Sequence, residues 1–427
     1  MTLPIRFSES TARPPRSMRT HSHRIAVGAT LLLTTACVGR SGAPAYVNPH
    51  ANDEIGTVRQ MYDGALSPTL AVNTFRNIDR LFPTRRVAHS GTPYPLPPAD
   101  KPLDNITFTS NGVQYTVDDF IRLNRIAGLL VLKNGRIALE RYEFGNGPQT
   151  RWMSMSVAKS ITSTLMGAAV RDGKIASLDD LVTQYVPRLA GSAYDGVTIR
   201  QLLLMSSGVR WNETYTDSSS DRRHLLEAQI AQKSGGAIEL MRALPRAAPP
   251  GTVNNYSTGE TQIAGEVVRA AVGISLAQYL HDRIWGPFGM ETDATWWLDS
   301  PDGHEIGGSG FNATLRDYAR FGLFFANGGV IGETHVLPDG WTRDASSPKT
   351  LANNRPLNYG YMWWPIGGPT GSPDDGAFAA EGIFGQAIYI NRREQVVIAQ
   401  WGAQTKPTGG AKIGDNDFFA AVVSALR

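Results

Sequence analysis

The sequence predicts a mixed α/β (α+β) protein, with an antiparallel sheet built from both ends of the chain, flanked by helices, and a mostly helical subdomain inserted between. Three observations carry this. "IAGLLVLKNGRIALERYEF" (126–144) sets two runs rich in Val, Ile and Leu around Asn134-Gly135, a strong hairpin signal. "GIFGQAIYI", the charged turn "NRREQ" and "VVIAQWG" (382–402) form a second strand pair near the C-terminus. Between them, from about 175 to 300, the pattern is mostly helical. Strands at both ends with helices between imply one shared sheet, with the functional site between sheet and helices.

The elements follow in order. "RSMRTHSHRIAVGATLLLTTAC" has basic residues, an apolar run from Ile25 to Leu33, and small residues before Cys37, the layout of a secretory signal. The run is too short for a permanent bilayer span. Cys37 is the only cysteine, which excludes a structural disulfide within the monomer and a multi-cysteine metal site. Its position after the apolar run resembles a bacterial lipoprotein cleavage site, although Thr34 stands where leucine is usual. Ordinary cleavage with Cys37 incidental is the other reading. The expected organisation is a signal peptide (1–36), a flexible tether (37–60), an N-terminal arm (61–124) that is extended with a short helix, and the main body (125–427). The location that follows is the bacterial cell envelope, secreted or periplasmic, with a lipid anchor on Cys37.

Composition bounds the function. In 427 residues, 41% are hydrophobic and the formal charge is only +3, with Arg13, Arg16, Arg19 and Arg24 in the leader, so no nucleic-acid surface is expected. Glycine and proline are plentiful but not periodic. No internal repeat is present, and nothing in the sequence bears on the oligomeric state.

"WMSMSVAKSITSTLMGAAVRDG" (152–173) carries the chemistry. From Ser156 the pattern turns helical: Val157, Ile161, Leu165 and Ala168 share a face, and Asp172-Gly173 closes the helix. Ser156-Val157-Ala158-Lys159 is the Ser-x-x-Lys among these hydroxyls, since Ser154, Ser160 and Ser163 lack a lysine three residues on. On a helix, residues i and i+3 share a face, so the amine reaches the hydroxyl. The first helical turn favours developing negative charge. Lysine can take the serine proton only where burial or neighbouring cations populate the neutral amine. Lys159 lies among apolar and small residues, an odd place for a solvated lysine.

With these residues the chain resembles the serine β-lactamase and penicillin-binding protein superfamily, in its class C-like branch with the family VIII carboxylesterases and the 6-aminohexanoate-dimer hydrolases. The similarity spans roughly 125–405. It rests on "MSMSVAKS", "DGKIASLDDLVTQYVPRLAGSAYDGVTIRQLLLMSSGVRWNETY", "NYSTGE", "WGPFGM", "TLRDYARFG" and "EGIFGQAIYI". It implies the β-lactamase/transpeptidase-like fold and a serine hydrolase working through an acyl-enzyme on Ser156, with no metal or organic cofactor. The substrate would be a small-molecule ester or amide.

The family's tyrosine matches Tyr256, expected to have a pKa lowered by the lysine ammonium and to shuttle protons with Lys159. Its Tyr-x-Asn is here Tyr-x-Thr, and Thr258 can bond Lys159 or substrate without the amide's donor and acceptor pair. The family's Lys-Thr-Gly strand aligns with Glu381-Gly382, so its lysine is missing. "KPTGG" (406–410) has the right letters but reads as a surface turn. Gly382 would let the backbone approach substrate, and the Ser156 and Ile383 N–H groups would form the oxyanion hole. Tyr215 matches a tyrosine near the scissile bond in the nylon-oligomer branch, with loop packing as the competing reading. Asp217 and Asp221 read as loop acids. No counterpart of the class A deacylating glutamate is apparent.

The missing lysine argues against efficient β-lactam hydrolysis. A class C-like β-lactamase or D,D-peptidase stays open as an alternative, as does a non-catalytic envelope binding protein. No Gly-x-Ser-x-Gly elbow occurs, and the histidines are dispersed without metal-ligand spacing. "IGGSGFNA" (306–313) reads as the loop leading into "TLRDYARFG".

Overall fold

Residues whose apolar character alternates between two sides build the main sheet. In the strand Ile126–Lys133, Leu130 and Leu132 enter one core while Leu129 and Val131 enter another. Ile388 and Ile390 oppose Ala387 and Tyr389 in Gln386–Asn391, and Val397 and Ala399 oppose Val396 and Ile398 in Val396–Gly402. A period of two with both sides covered explains why these strands read as unbroken apolar runs. The computed structural model describes residues 46–104 and 106–427. The six strands run in the order Trp364–Ile366, Ala377–Gly382, Gln386–Asn391, Val396–Gly402, Ile126–Lys133 and Arg136–Tyr142, all antiparallel. C-terminal strands thus pair directly with the first hairpin. Asn134 and Gly135 at its tip both have positive φ, 52° and 73°, as a type I′ turn requires.

Helices Val157–Arg171 and Leu315–Ala326 cover one face of the sheet. The other is covered by Val117–Leu123, Asp415–Ala425 and the small hairpin Thr107–Ser110/Val113–Thr116. The middle of the chain is helical as expected, from Val182–Tyr185 to Gly286–Phe288, and ends in the strand Ala294–Trp297. A second antiparallel sheet, ordered Thr84–Val87, Ala294–Trp297, Phe311–Thr314 and Arg151–Met153, leads the chain into Ser156.

Three expectations are corrected. The arm is not an extended wrapping. It forms helices Val58–Asp63 and Pro68–Phe75, and its strand Thr84–Val87 pairs with Ala294–Trp297. The tether does not run free to residue 60: Arg151 stacks 3.4 Å over the Tyr46 ring and Asp53 pairs with Arg76 at 2.7 Å, so this segment finds aromatic and ionic partners. The start of "GIFG" is the end of the strand Ala377–Gly382, and the rest is a connection, with Phe384 and Gly385 at φ of 69° and 89°. The signal peptide and Cys37 lie outside the described residues. Among those residues no single helix is long and apolar enough to cross a membrane.

Candidate active site

Met155, buried and at a φ of 43°, turns the chain sharply from the strand Arg151–Met153 into the helix Val157–Arg171. A non-glycine residue held in this region stores backbone strain, which is characteristic of functional sites. The turn sets Ser156 at the helix start, facing a cavity of about 390 Å³. The other hydroxyls of the segment are spent on structure. Ser160 and Ser163 donate to the carbonyls of Met362 and Tyr361, Thr162 to Gly307 and Thr164 to Ser160. Ser154 donates to the Met155 carbonyl.

Lys159 is 2% exposed, and its Nζ lies 2.9 Å from Ser156 Oγ, 3.0 Å from Thr258 Oγ1 and 3.0 Å from the Gly308 carbonyl. Burial pulls its pKa down to about 7. The carboxylate of Glu213 pushes it back up and the Arg222 guanidinium pushes it further down. A substantial neutral fraction is therefore present at neutral pH.

Tyr256 lines the cavity together with Ser156, with its ring 5.2 Å from Lys159 Nζ. The expected lowering of its pKa is reversed. Burial raises it, and the Glu213 and Glu381 carboxylates add to the rise. The phenol consequently keeps its proton. Tyr215 faces the same cavity and packs on Tyr62, ring centroids 6.3 Å apart. Asp217 caps its own loop through Ser219, and Asp221 accepts from Asn212 and Arg210; neither lines the cavity.

Glu381 and Gly382 end the inner strand Ala377–Gly382 opposite the nucleophile turn. A Cβ on Gly382 would stand 2.6 Å from the Ser154 carbonyl oxygen and 3.1 Å from Ser156 N, so only glycine fits. Neither Ser156 N–H nor Ile383 N–H donates to another backbone group among the described residues. The 406–410 segment is not a remote surface turn: Pro407, Thr408 and Gly409 line the cavity, and the Pro407 carbonyl accepts from Phe384 N–H.

Sequence reasoning missed Glu213 and Gly308. Glu213 accepts from Thr258 Oγ1 at 2.5 Å, Thr258 N–H at 2.9 Å and Trp211 Nε1 at 2.5 Å. The change from Tyr-x-Asn to Tyr-x-Thr was the one signal for it, because a threonine there needs an acceptor for its own proton. The Gly308 contact is through a backbone carbonyl and left no trace in residue type.

A family model described as beta-lactamase matches residues 116–420, and the chain belongs to that family. It is 27% identical over 347 residues to the 6-aminohexanoate-dimer hydrolase of Paenarthrobacter ureafaciens, covering 78% of this chain and 85% of that protein. A solved structure from Bacillus anthracis, provisionally assigned as a 6-aminohexanoate-dimer hydrolase, superposes with a TM-score of 0.68 at 23% identity, over 79% of this chain and 89% of that one. A family VIII carboxylesterase superposes with a TM-score of 0.55 at 18% identity, over 72% and 95%. At such identities the two structures speak for the fold alone.

Proposed function

We propose that this protein is a serine hydrolase that cleaves carboxylic esters or amides through an acyl-enzyme on Ser156. The observation that carries the reading is the buried Lys159 amine, 2.9 Å from Ser156 Oγ with a pKa of about 7. Ser156 Oγ attacks the substrate carbonyl as its proton passes to the neutral Lys159 amine. The carbonyl oxygen becomes an oxyanion, held by Ser156 and Ile383 N–H. As the intermediate collapses, the carbonyl carbon's bond to the leaving oxygen or nitrogen breaks, and that atom takes a proton from Tyr256, which Lys159 replenishes. Water then gives a proton to Lys159 as its oxygen attacks the acyl carbon, the bond to Oγ breaks, and Ser156 Oγ takes that proton from Lys159. Thr258 and Gly382 position the amine and the inner strand, and Tyr215 borders the scissile bond.

The similarity to a 6-aminohexanoate-dimer hydrolase supports a small ester or amide as substrate. Among the described residues, those lining the cavity include Glu381 and Asp415 but no lysine or arginine, which disfavours substrates with a carboxylate beside the acyl group. The leader 1–36 and Cys37 support a location in the cell envelope. The test is hydrolysis of p-nitrophenyl butyrate by the mature protein beside Ser156→Ala. Turnover that vanishes in the variant is expected, and equal rates in the two would refute Ser156 as nucleophile.

A further inference from the structure

We infer that Glu213 is a positioning residue that fixes the direction of the hydrogen bonds around Lys159 and so aims the lysine lone pair at Ser156. The inference rests on the reading of Ser156 as nucleophile. A neutral amine has two N–H groups and one lone pair, and Lys159 has three oxygen neighbours: the Gly308 carbonyl, Thr258 Oγ1 and Ser156 Oγ. The carbonyl can only accept. Thr258 has a single hydroxyl proton, and it donates that proton to Glu213 Oε1, 2.5 Å away. With that proton committed to Glu213, Thr258 can offer Lys159 only an acceptor. Both N–H groups are then used, and the lone pair is left for the Ser156 O–H.

Glu213 is equipped for this role and no other at the site. Among the described residues that line the cavity it does not appear. The Thr258 N–H and Trp211 Nε1 hold its second oxygen, and Arg222 Nε stands 3.9 Å from its first. Buried Arg222 donates in turn to the Tyr62 hydroxyl, on the helix Val58–Asp63. That helix precedes the stretch matched by the family model, so the arm supports the site from outside it. Of the charged groups on the surrounding elements, Glu213 and Arg222 act on Lys159, whereas Glu260 is bonded to Ser207 and Glu381 opens onto the cavity. Glutamine at 213 could donate as well as accept. Thr258 could then turn its proton onto the lysine lone pair and compete with Ser156.

The test is the rate of Ser156 labelling by a fluorophosphonate, from pH 5 to 9, in wild type, Ser156→Ala, Glu213→Gln, Thr258→Val, Thr258→Ser and the Glu213→Gln/Thr258→Val pair. Labelled wild type with unlabelled Ser156→Ala upholds the nucleophile; any other result overturns that reading, and this inference with it. Given that, Glu213→Gln is expected to lower the plateau rate at least tenfold and to move the acid limb to lower pH, because the ammonium loses a stabilising charge. Thr258→Val is expected to cost as much, the pair no more than either alone, and Thr258→Ser little. A wild-type plateau and limb in Glu213→Gln, or losses that multiply in the pair, would overturn the inference.

Discussion

Two buried basic side chains stand near one carboxylate, Glu213: Arg222 Nε lies 3.9 Å from its Oε1, and Lys159 is linked to it through Thr258. Removal from water disfavours the lysine ammonium, the Glu213 carboxylate opposes that effect, and the Arg222 cation adds to it. Burial prevails, and the lysine pKa falls to about 7.

The pH–rate profile follows. Lys159 is active as the neutral amine, so kcat/KM should rise about tenfold per pH unit below 7 and level off above it. Arg222→Gln removes a cation that lowers the lysine pKa, so its acid limb should move to higher pH. Ester hydrolysis measured from pH 5 to 9 checks both. An identical limb in the two proteins would show that Arg222 has no part in tuning the lysine.

Stability should run opposite to activity at this position. The folded pKa of Lys159 is depressed below its unfolded value near 10.5, so between about 7 and 10.5 the unfolded chain binds more protons. Stability therefore rises with pH through that window, and the full cost is present below it, on the order of 4 kcal/mol at neutral pH. Lys159→Met should be inactive yet melt higher than wild type at pH 7, with the gap closing toward pH 10.5. Calorimetry at the two pH values decides it.

Gly382→Ala should separate chemistry from folding. The added Cβ meets the Ser154 carbonyl and Ser156 N, the backbone that flanks the nucleophile. Loss of one oxyanion donor costs about 10²- to 10³-fold in kcat. A drop of that order, with circular dichroism unchanged, is the expected result. Full activity would mean that the turn gives way freely.

What the sequence made legible is what local chemistry dictates. Asn134-Gly135 demands positive φ at both positions, and Ser156 and Lys159 are one helical turn apart, so both could be read without tertiary contacts. Glu213 could not, because its partner Thr258 is 45 residues away and the contact exists only once the helix Thr258–Val272 is packed. The pKa direction of Tyr256 was not legible, since its burial and the approach of Glu213 and Glu381 exist only in the fold. The arm looked extended because its strand Thr84–Val87 has no partner until Ala294–Trp297 arrives.

Glu381 should decide which charge the substrate can carry. It precedes Gly382 at the end of the inner strand and lines the cavity, and it makes no ion pair among the described residues. The residue as a whole is exposed, but desolvation of its carboxyl against the cleft and the nearby Asp415 raise its pKa to about 7. Above that pH it is a free anion beside the acyl group, so a p-nitrophenyl ester with a terminal carboxylate should be turned over at least tenfold less efficiently than its neutral isostere. Below pH 7 the carboxyl protonates and the discrimination should narrow. Glu381→Gln should remove the pH dependence of the ratio, and Glu381→Lys should invert the preference, while both keep activity on the neutral ester. Equal kcat/KM for the anionic and neutral esters in wild type at pH 8.5 would rule out a charge filter at Glu381.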